Sequence, residues 1–550
     1  MMDPMMNDVL RMAVDKTLAS VEFPALHAPF RDAVHGVHAF GMDGAVTAVL
    51  ALVEIAATKY VDIPAILTSV CDACPDIGSG TLAIMYIVIN VVRDIYHMYA
   101  DFVCEVRKHG GRGVVEAIIG EHIARRAAQQ SSQQPCQDIV DALTVRLDAD
   151  TAAEVIRDNN ERFTGPSVPP YWLNYSGDKA AFLIDANWGT GRAAVDVPAG
   201  IAKMQSYAFM PQLGTFEFTM DGAGDEKKKQ KKRVVYQVVV AGGCPAAALS
   251  FPSRGCGDID AYVVCDNPHT DVHEAILVDV VKQFENRMAP PRGDSWKIGT
   301  VIMTEQAVTF NVLRYAGTAG NVPCCVQWSQ VQFSMRVYPS VASILLSYDL
   351  TCVAVAFDGT AFILTPLALW SHIHRHVIVN PLIQSTPLRC CIKYPCRGFN
   401  VVVPVSAKVV SDVTERSRSR SRSRSSKLWR RTNTGAWNIA VFVCWKQIED
   451  GPQERVGGGS DAQPSESDIR IDAVDEWGSD VRQAMDAASD HGCVPGETLF
   501  STSTTRVFAG GSNEHHLDIR PEDILSGNDA SVRKSWWASA SNFYSDVVYL

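Results

Sequence analysis

The spacing of apolar residues changes character at about residue 180. Before that point it is helical: Val46, Val49, Leu50 and Val53, followed by Ala57, recur at i, i+3, i+4 and i+7, which gathers them into one stripe on a helix. Arg93–Arg107 and Gly113–Arg126 carry similar amphipathic patterns, with Gly110-Gly111 as punctuation between them. The polar stretch Gln129–Gln134 reads as a linker. Asp148–Arg162 predicts one further helix, stopped by Gly165-Pro166 and Pro169-Pro170, because proline lacks the N–H a helix needs.

From about Ala180 the apolar runs become short and β-branched. Phe216–Met220 and Val234–Val240 predict two strands, and the second is apolar almost throughout, as expected of a strand covered on both faces. Further strands are predicted at Ala261–Val264, Val301–Thr304, Val308–Val312, Val331–Val337, Cys352–Phe357, Phe399–Val405 and Trp437–Trp445. Val272, Ile276, Val280 and Phe284 place a helix over Val272–Arg287, and Pro366–His376 reads as another. The pattern is α+β: a mixed sheet with helices, preceded by a mainly helical N-terminal domain. It divides into a helical domain (1–130), a linker and helix (131–180), a sheet domain (181–447) and a partly disordered C-terminal region (448–550), whose 450–495 stretch is rich in Gly, Ser and Asp.

Charge sharpens this division. The net charge is -11, yet Lys227–Arg233 holds six cations and Arg416–Arg431 holds eight; taking those fourteen from the fifty basic residues leaves 36 against 61 acidic ones. The first run reads as a solvated Lys-rich loop, 225–233, between two strands. The second contains a strict Arg-Ser alternation, 416–425, which phosphorylation would convert from cationic to zwitterionic or anionic. Thr81–Val92, the longest apolar stretch, is too short for a bilayer span of roughly 20 residues. The start of the chain carries Asp3, Asp8 and Asp15 in place of a basic leader. Fifteen cysteines in apolar surroundings fit reduced thiols. The expectation is an intracellular protein, cytoplasmic or nuclear, without a membrane partner.

The chemistry concentrates in two adjacent segments. Val238-Val239-Val240-Ala241 runs into Gly242-Gly243-Cys244, and Asp258-Ile259-Asp260 opens the next strand. A glycine turn lets backbone N–H groups approach a phosphate with no Cβ in the way. Carboxylates at i and i+2 of a strand share a face, and hard oxygen ligands suit Mg²⁺ or Mn²⁺. Together these parts describe metal-assisted phosphoryl or nucleotidyl transfer.

This strand, Gly-Gly turn and Asp-x-Asp strand resemble the nucleotidyltransferase superfamily typified by DNA polymerase β and poly(A) polymerases. Thr304–Phe310, Val331-Gln332-Phe333 with Arg336, Tyr338-Pro339-Ser340, Ser347–Cys352, Phe357-Asp358-Gly359 and Lys393-Tyr394 with Arg397-Gly398-Phe399 are similar, in order, to a narrower group. That group comprises nucleotidyltransferase-like proteins of large DNA viruses and fungi, and the likeness covers roughly residues 234–405. It implies a phosphate-facing turn at Gly242, Gly243 and Cys244, metal ligands at Asp258 and Asp260, and a third catalytic carboxylate on a neighbouring strand, for which Asp349 is the best candidate. As basic groups opposite paired carboxylates, Lys393, Arg389 and Arg397 are the candidates to contact the triphosphate. Two departures stand out: Cys244, followed by Pro245, replaces a common Ser, and Thr351 stands where relatives often have a second Asp.

Other candidates carry less. His372, His374 and His376 fall around a helix rather than together, and Cys71 and Cys74 lack a partner pair at zinc-like spacing. Three functions stay open: a metal-dependent nucleotidyltransferase using a nucleoside triphosphate (NTP) and an RNA, protein or small-molecule acceptor; a degenerate nucleotidyltransferase fold serving as a binding or structural module, including one associated with a virion; and an RNA-binding protein acting through its basic runs.

Overall fold

The computed structural model describes residues 45–53, 86–95, 112–128, 139–163, 181–184, 195–221, 231–250, 258–288 without 268, 296–319 without 305, 322–378, 394, 397–404, 498–501 and 505–509. Lys227–Gln230, Lys393, the Arg416–Ser425 run and Trp437–Trp445 lie outside them. The fold is α+β. Three helices open it: α1 (45–53), α2 (86–95) and α3 (Arg112–Ala128). Each turns its aliphatic stripe inward; Val49, Val53, Ile87, Val91, Val115 and Ile119 are all fully buried. Arg126 Nε donates to Asp94 Oδ2 at 3.0 Å, joining α3 to α2. No described helix is long and apolar enough to cross a membrane.

The chain continues with β1 (Val145–Leu147), α4 (Ala152–Phe163), β2 (Ala181–Ile184), α5 (Val197–Gln205), β3 (Gly214–Asp221), β4 (Lys231–Ala241), α6 (Gly243–Ser250) and β5 (Asp258–Val264). Next come α7 (Thr270–Met288), β6 (Trp296–Thr304), β7 (Ala307–Ala319), β8 (Val322–Tyr338), α8 (Val341–Leu345), β9 (Val355–Phe357) and β10 (Phe362–Leu364). The order closes with α9 (Pro366–His374), β11 (His376–Ile378), β12 (Asn400–Pro404), β13 (Thr498–Ser501) and β14 (Thr505–Ala509). Among the described residues the main sheet runs β1-β10-β9-β4-β5-β8-β7-β6-β14-β13, with β3 also paired to β4. Its pairs are antiparallel except β5 with β8. A smaller sheet has the order β11-β12-β2.

Helix α7 covers one face of this sheet. Val272, Ile276, Leu277, Val280, Val281 and Phe284 are buried along it, and the Phe284 ring lies 4.9 Å from Phe310 of β7 and 5.3 Å from Phe333 of β8. A buried aromatic of this kind contributes about 1.5–3 kcal/mol from desolvation alone. Since side chains alternate along a strand, Ile259, Val331, Phe333 and Phe310 point to α7, and Asp258, Asp260, Gln330 and Gln332 point away from it.

Several elements differ from the sequence expectation. Lys231, Lys232 and Arg233, expected in the solvated loop, extend β4, opposite Asp221, Met220 and Thr219. An ion pair of Arg233 with Glu217 supports this end of the ladder. Cys352–Phe357, expected as one strand, begins as a 3₁₀ turn at Thr351–Val353, because Thr351 Oγ1 lies 2.6 Å from Ser371 Oγ and accepts from Ile378 N at 3.0 Å. Helix α9 starts at its Thr365 cap, which accepts from Ala368 N, and stops at His374, where Arg375 turns left-handed with φ +56°. His376 is therefore the first residue of β11.

Candidate active site

Gly242 is where β4 hands the chain to α6. Its N–H donates to Val355 O at 2.9 Å and its carbonyl accepts from Ala246 N at 3.2 Å, with φ +92°, a conformation that side chains with a Cβ rarely adopt. Directly across from the end of β4, Ala241 pairs with Asp260, so the glycine turn and the Asp-Ile-Asp strand are immediate neighbours, as their order in the sequence predicts. At Gly243 a Cβ would meet nothing within 4 Å. Cys244 enters this turn through its backbone alone: the thiol is buried, 3.9 Å from Met204 Sδ. Pro245 has no N–H to offer, so the backbone N–H groups ahead of it in the first turn of α6 are those of Gly243 and Cys244.

Two tyrosines form the floor. Tyr348 Oη donates to Tyr262 Oη at 3.0 Å, and the same hydroxyl lies where a Cβ on Gly242 would fall, 2.7 Å away. Tyr262 follows Asp260 on the same face of β5. Burial, then the neighbouring Tyr348 hydroxyl and the Asp260 carboxylate, push its phenol well above its usual range, so it stays protonated. Sequence reasoning passed over this pair because the partners lie 86 residues apart.

The loop that carries Tyr348 is fastened from behind by α3. The Arg125 guanidinium donates to Tyr348 O at 3.2 Å and to Leu346 O, and pairs with Glu121 at 3.4 Å. Glu121 also accepts from Thr365 Oγ1. Burial raises the Glu121 carboxyl, opposed by Arg125. His122 beside them is held neutral, its pKa lowered to about 3 by burial and the nearby arginines.

Asp258 and Asp260 are half-buried, side by side on one face. Their oxygens suit a hard divalent cation of the kind bound by one or two carboxylates plus substrate phosphates. Asp349 sits elsewhere in the architecture: it is buried in the turn after Tyr348, not on a strand beside β5. Among the described residues no three His, Cys, Asp or Glu side chains are grouped to hold a metal ion, so the three aspartates do not form one cage here. Thr351 is held by Ser371 and Ile378. On the side away from β4, β5 is flanked by β8, which places Gln330 and Gln332 opposite the two aspartates.

The histidine run separates as its spacing suggests. His372 is buried, with Nε2 2.9 Å from Cys352 O and Nδ1 2.5 Å from Ser250 Oγ. A carbonyl only accepts, so Nε2 carries the proton and Nδ1 accepts from the serine. Burial and Arg375 lower this imidazole to about 3. Asp358, in the β9–β10 turn, accepts from Thr360 N and Ala361 N and pairs with Arg146 at 2.5 Å, which makes it a turn-former.

Residues 215–375, from β3 to just past α9, match the family described as Gabija anti-defense 2 family proteins; the match covers under a third of the chain. An uncharacterized protein of Acanthamoeba polyphaga mimivirus is 34% identical over 76 residues, 14% of this chain, and the chain spans 17% of that relative's length. No solved structure matches the chain.

Proposed function

We propose that the chain is a metal-dependent nucleotidyltransferase that moves a nucleotide from a nucleoside triphosphate to an RNA or protein acceptor. The reading rests on one observation above all, the pairing of Ala241 with Asp260, which sets a glycine turn beside two carboxylates on one face. Phosphate oxygens would accept from the N–H groups of Gly243 and Cys244 at the start of α6, where the helix dipole favours negative charge. Asp258 and Asp260 would hold Mg²⁺ or Mn²⁺, which when bound offsets charge on the phosphate oxygens. Tyr348, bridged to Tyr262 and fastened by Arg125, fixes the floor against which the turn is packed. Lys393 remains a proposed contact of the triphosphate, and Asp349 a proposed third carboxylate that would have to come into play with substrate.

The separation of Asp349 from the aspartate pair favours a second reading, a catalytically degenerate fold that serves as a binding or structural module, including within a virion. The matched family's description names action against a defence system, Gabija. On the first reading a component of such a system would be the nucleotide acceptor; on the second it would be a bound partner.

Titration calorimetry of the intact protein with Mg²⁺ or Mn²⁺ and each nucleoside triphosphate separates these from a chain that uses neither. Asp260→Asn keeps the shape and removes one charge, so it should abolish metal-dependent nucleotide binding and incorporation while leaving the fold intact. Metal-dependent binding without incorporation would support the module; absence of binding at millimolar metal would refute the enzyme.

A further inference from the structure

Two hydrogen-bonded routes lead from α3 to Gly242, and they start one helical turn apart. The first begins at Arg125, which donates to Leu346 O and Tyr348 O. The loop it holds brings the Tyr348 hydroxyl against Gly242, 2.7 Å from where a Cβ would stand. The second begins at Glu121, which accepts from Thr365 Oγ1. Thr365 N donates to Ala354 O at 3.4 Å, and the next residue, Val355, accepts the Gly242 N–H at 2.9 Å. The two origins are paired with each other, Arg125 Nη2 lying 3.4 Å from Glu121 Oε2, and both are buried. A buried ion pair is a poor source of net stability, because apolar side chains can fill the same space without the desolvation cost. What it supplies here is direction: the planar guanidinium fork reaches two carbonyls, while the other carboxylate oxygen takes the threonine hydroxyl.

We propose that Glu121 and Arg125 are positioning residues of the glycine turn, and that through them the helical layer sets the geometry in which Gly243 and Cys244 present their N–H groups. The inference rests on the nucleotidyltransferase reading for what the turn binds, and not for the coupling itself. A shift of α3 acts on both supports of Gly242 at once, the carbonyl on β9 that accepts its N–H and the hydroxyl packed against it. Neither positioning residue lies within 215–375, the stretch that the family match covers, so a turn inside that stretch takes its shape in part from a helix outside it. A coupling of this kind is a free energy shared between two places, and altering α3 alone makes it readable at the turn.

Hydrogen exchange of the full-length protein without ligand, followed by mass spectrometry, measures this coupling. The Gly242 and Ala246 N–H groups are bonded across the turn, at 2.9 Å and 3.2 Å, so a peptide spanning 240–250 reports its local opening. Arg125→Met removes both bonds to the Tyr348 loop and should speed exchange in that peptide on the order of tenfold. Glu121→Gln removes the charge that orients Arg125 and should act in the same direction. Arg125→Lys keeps the charge beside Glu121 but loses the fork; it should give a smaller rise, and it replaces Arg125→Met if that variant does not fold. Phe284→Leu, under α7, lowers stability without touching α3 and supplies the reference at a matched loss of Tm. If exchange in 240–250 follows Tm alike in the Phe284 and Arg125 variants, the pair supports only the fold as a whole and the proposal falls. An unchanged rate in folded Arg125 variants would overturn it equally. Mn²⁺ with ATP, added to the unaltered protein, then tests the other reading separately. Slower exchange in 240–250 supports nucleotide at this turn; no slowing counts against the nucleotidyltransferase reading and leaves the coupling, measured without ligand, standing.

Discussion

Replacing Gly242 by alanine tests the geometry of the turn directly, because two separate costs meet at one atom. The first is backbone: φ +92° disfavours any residue with a Cβ, at about 1–3 kcal/mol. The second is overlap: the new Cβ would sit 2.7 Å from Tyr348 Oη and 3.2 Å from Tyr348 Cζ. That hydroxyl is held by Tyr262 at 3.0 Å, and its loop is held by Arg125, so it cannot simply swing aside. Overpacking of a fixed neighbour adds about 1–3 kcal/mol. Gly242→Ala should therefore destabilise the sheet domain by about 2–6 kcal/mol. Tyr348→Phe alone should cost about 1 kcal/mol for the lost hydrogen bond. In the double variant the nearest contact relaxes from the oxygen to the ring carbon, so the combined loss should fall short of the sum by about 1 kcal/mol or more. Urea unfolding followed by tryptophan fluorescence, on all four proteins of the cycle, measures this coupling. A loss below about 0.5 kcal/mol for Gly242→Ala, or strict additivity with Tyr348→Phe, would refute the packing of the turn against Tyr348.

Three further outcomes follow from buried charge. Burial raises the Glu285 carboxyl to about 7, against the pull of Lys282, so the native state holds a proton that the unfolded chain releases, and stability falls as pH rises from about 4.5 to 7. Glu285→Gln should accordingly stabilise the protein by about 1–3 kcal/mol at pH 8 and change little near pH 4, read from urea midpoints at the two pH values. His372 is neutral when folded, its pKa about 3, so it contributes stability that is intact above about 6.5 and lost as pH falls toward 3, at up to about 1.4 kcal/mol per pH unit. His372→Gln should flatten that acid limb; an unchanged limb would remove His372 from the explanation. Arg125→Met should cost about 3 kcal/mol, the low end for breaking a buried pair, because the stranded Glu121 can take up a proton. The loss should grow with pH, and Arg125→Met with Glu121→Gln should lose less than Arg125→Met alone.

What could be read from sequence was whatever depends on neighbours in the chain. The β-branched run of β4, the glycines that end it, the alternation of Asp258, Ile259 and Asp260 and the helical stripe of α7 each reveal themselves within a dozen residues. The pairing of β4 with β5 followed from their nearness in sequence. Registers across long separations did not. Gln330 and Gln332 look like ordinary polar positions of a strand until β8 is laid parallel to β5, and nothing local says that it should be. Asp349 and Thr351 looked interchangeable at i and i+2, but a 3₁₀ turn begins between them and turns the threonine to α9. β1 and β13 are too short to announce themselves, and the match of β14 to β6 spans about two hundred residues of chain. The strand character of Lys231–Arg233 was hidden by their charge, since a cross-strand partner such as Glu217 is invisible in a local window.

The return of β14 to the main sheet has a topological consequence. Thr505–Ala509 pair with Thr300–Thr304, while the chain leaves the smaller sheet at Pro404. The ninety-odd residues between, with the Arg-Ser run among them, thus join two strands of the described fold. Such a closure costs little more for a long segment than for a short one, because its entropy grows only with the logarithm of length. A trypsin cut at Arg416–Arg424 should therefore split the polypeptide without parting the molecule: two bands in denaturing gel, one peak in gel filtration. Any phosphate placed on those serines would lie in a segment whose far end re-enters the same sheet that carries Asp258 and Asp260.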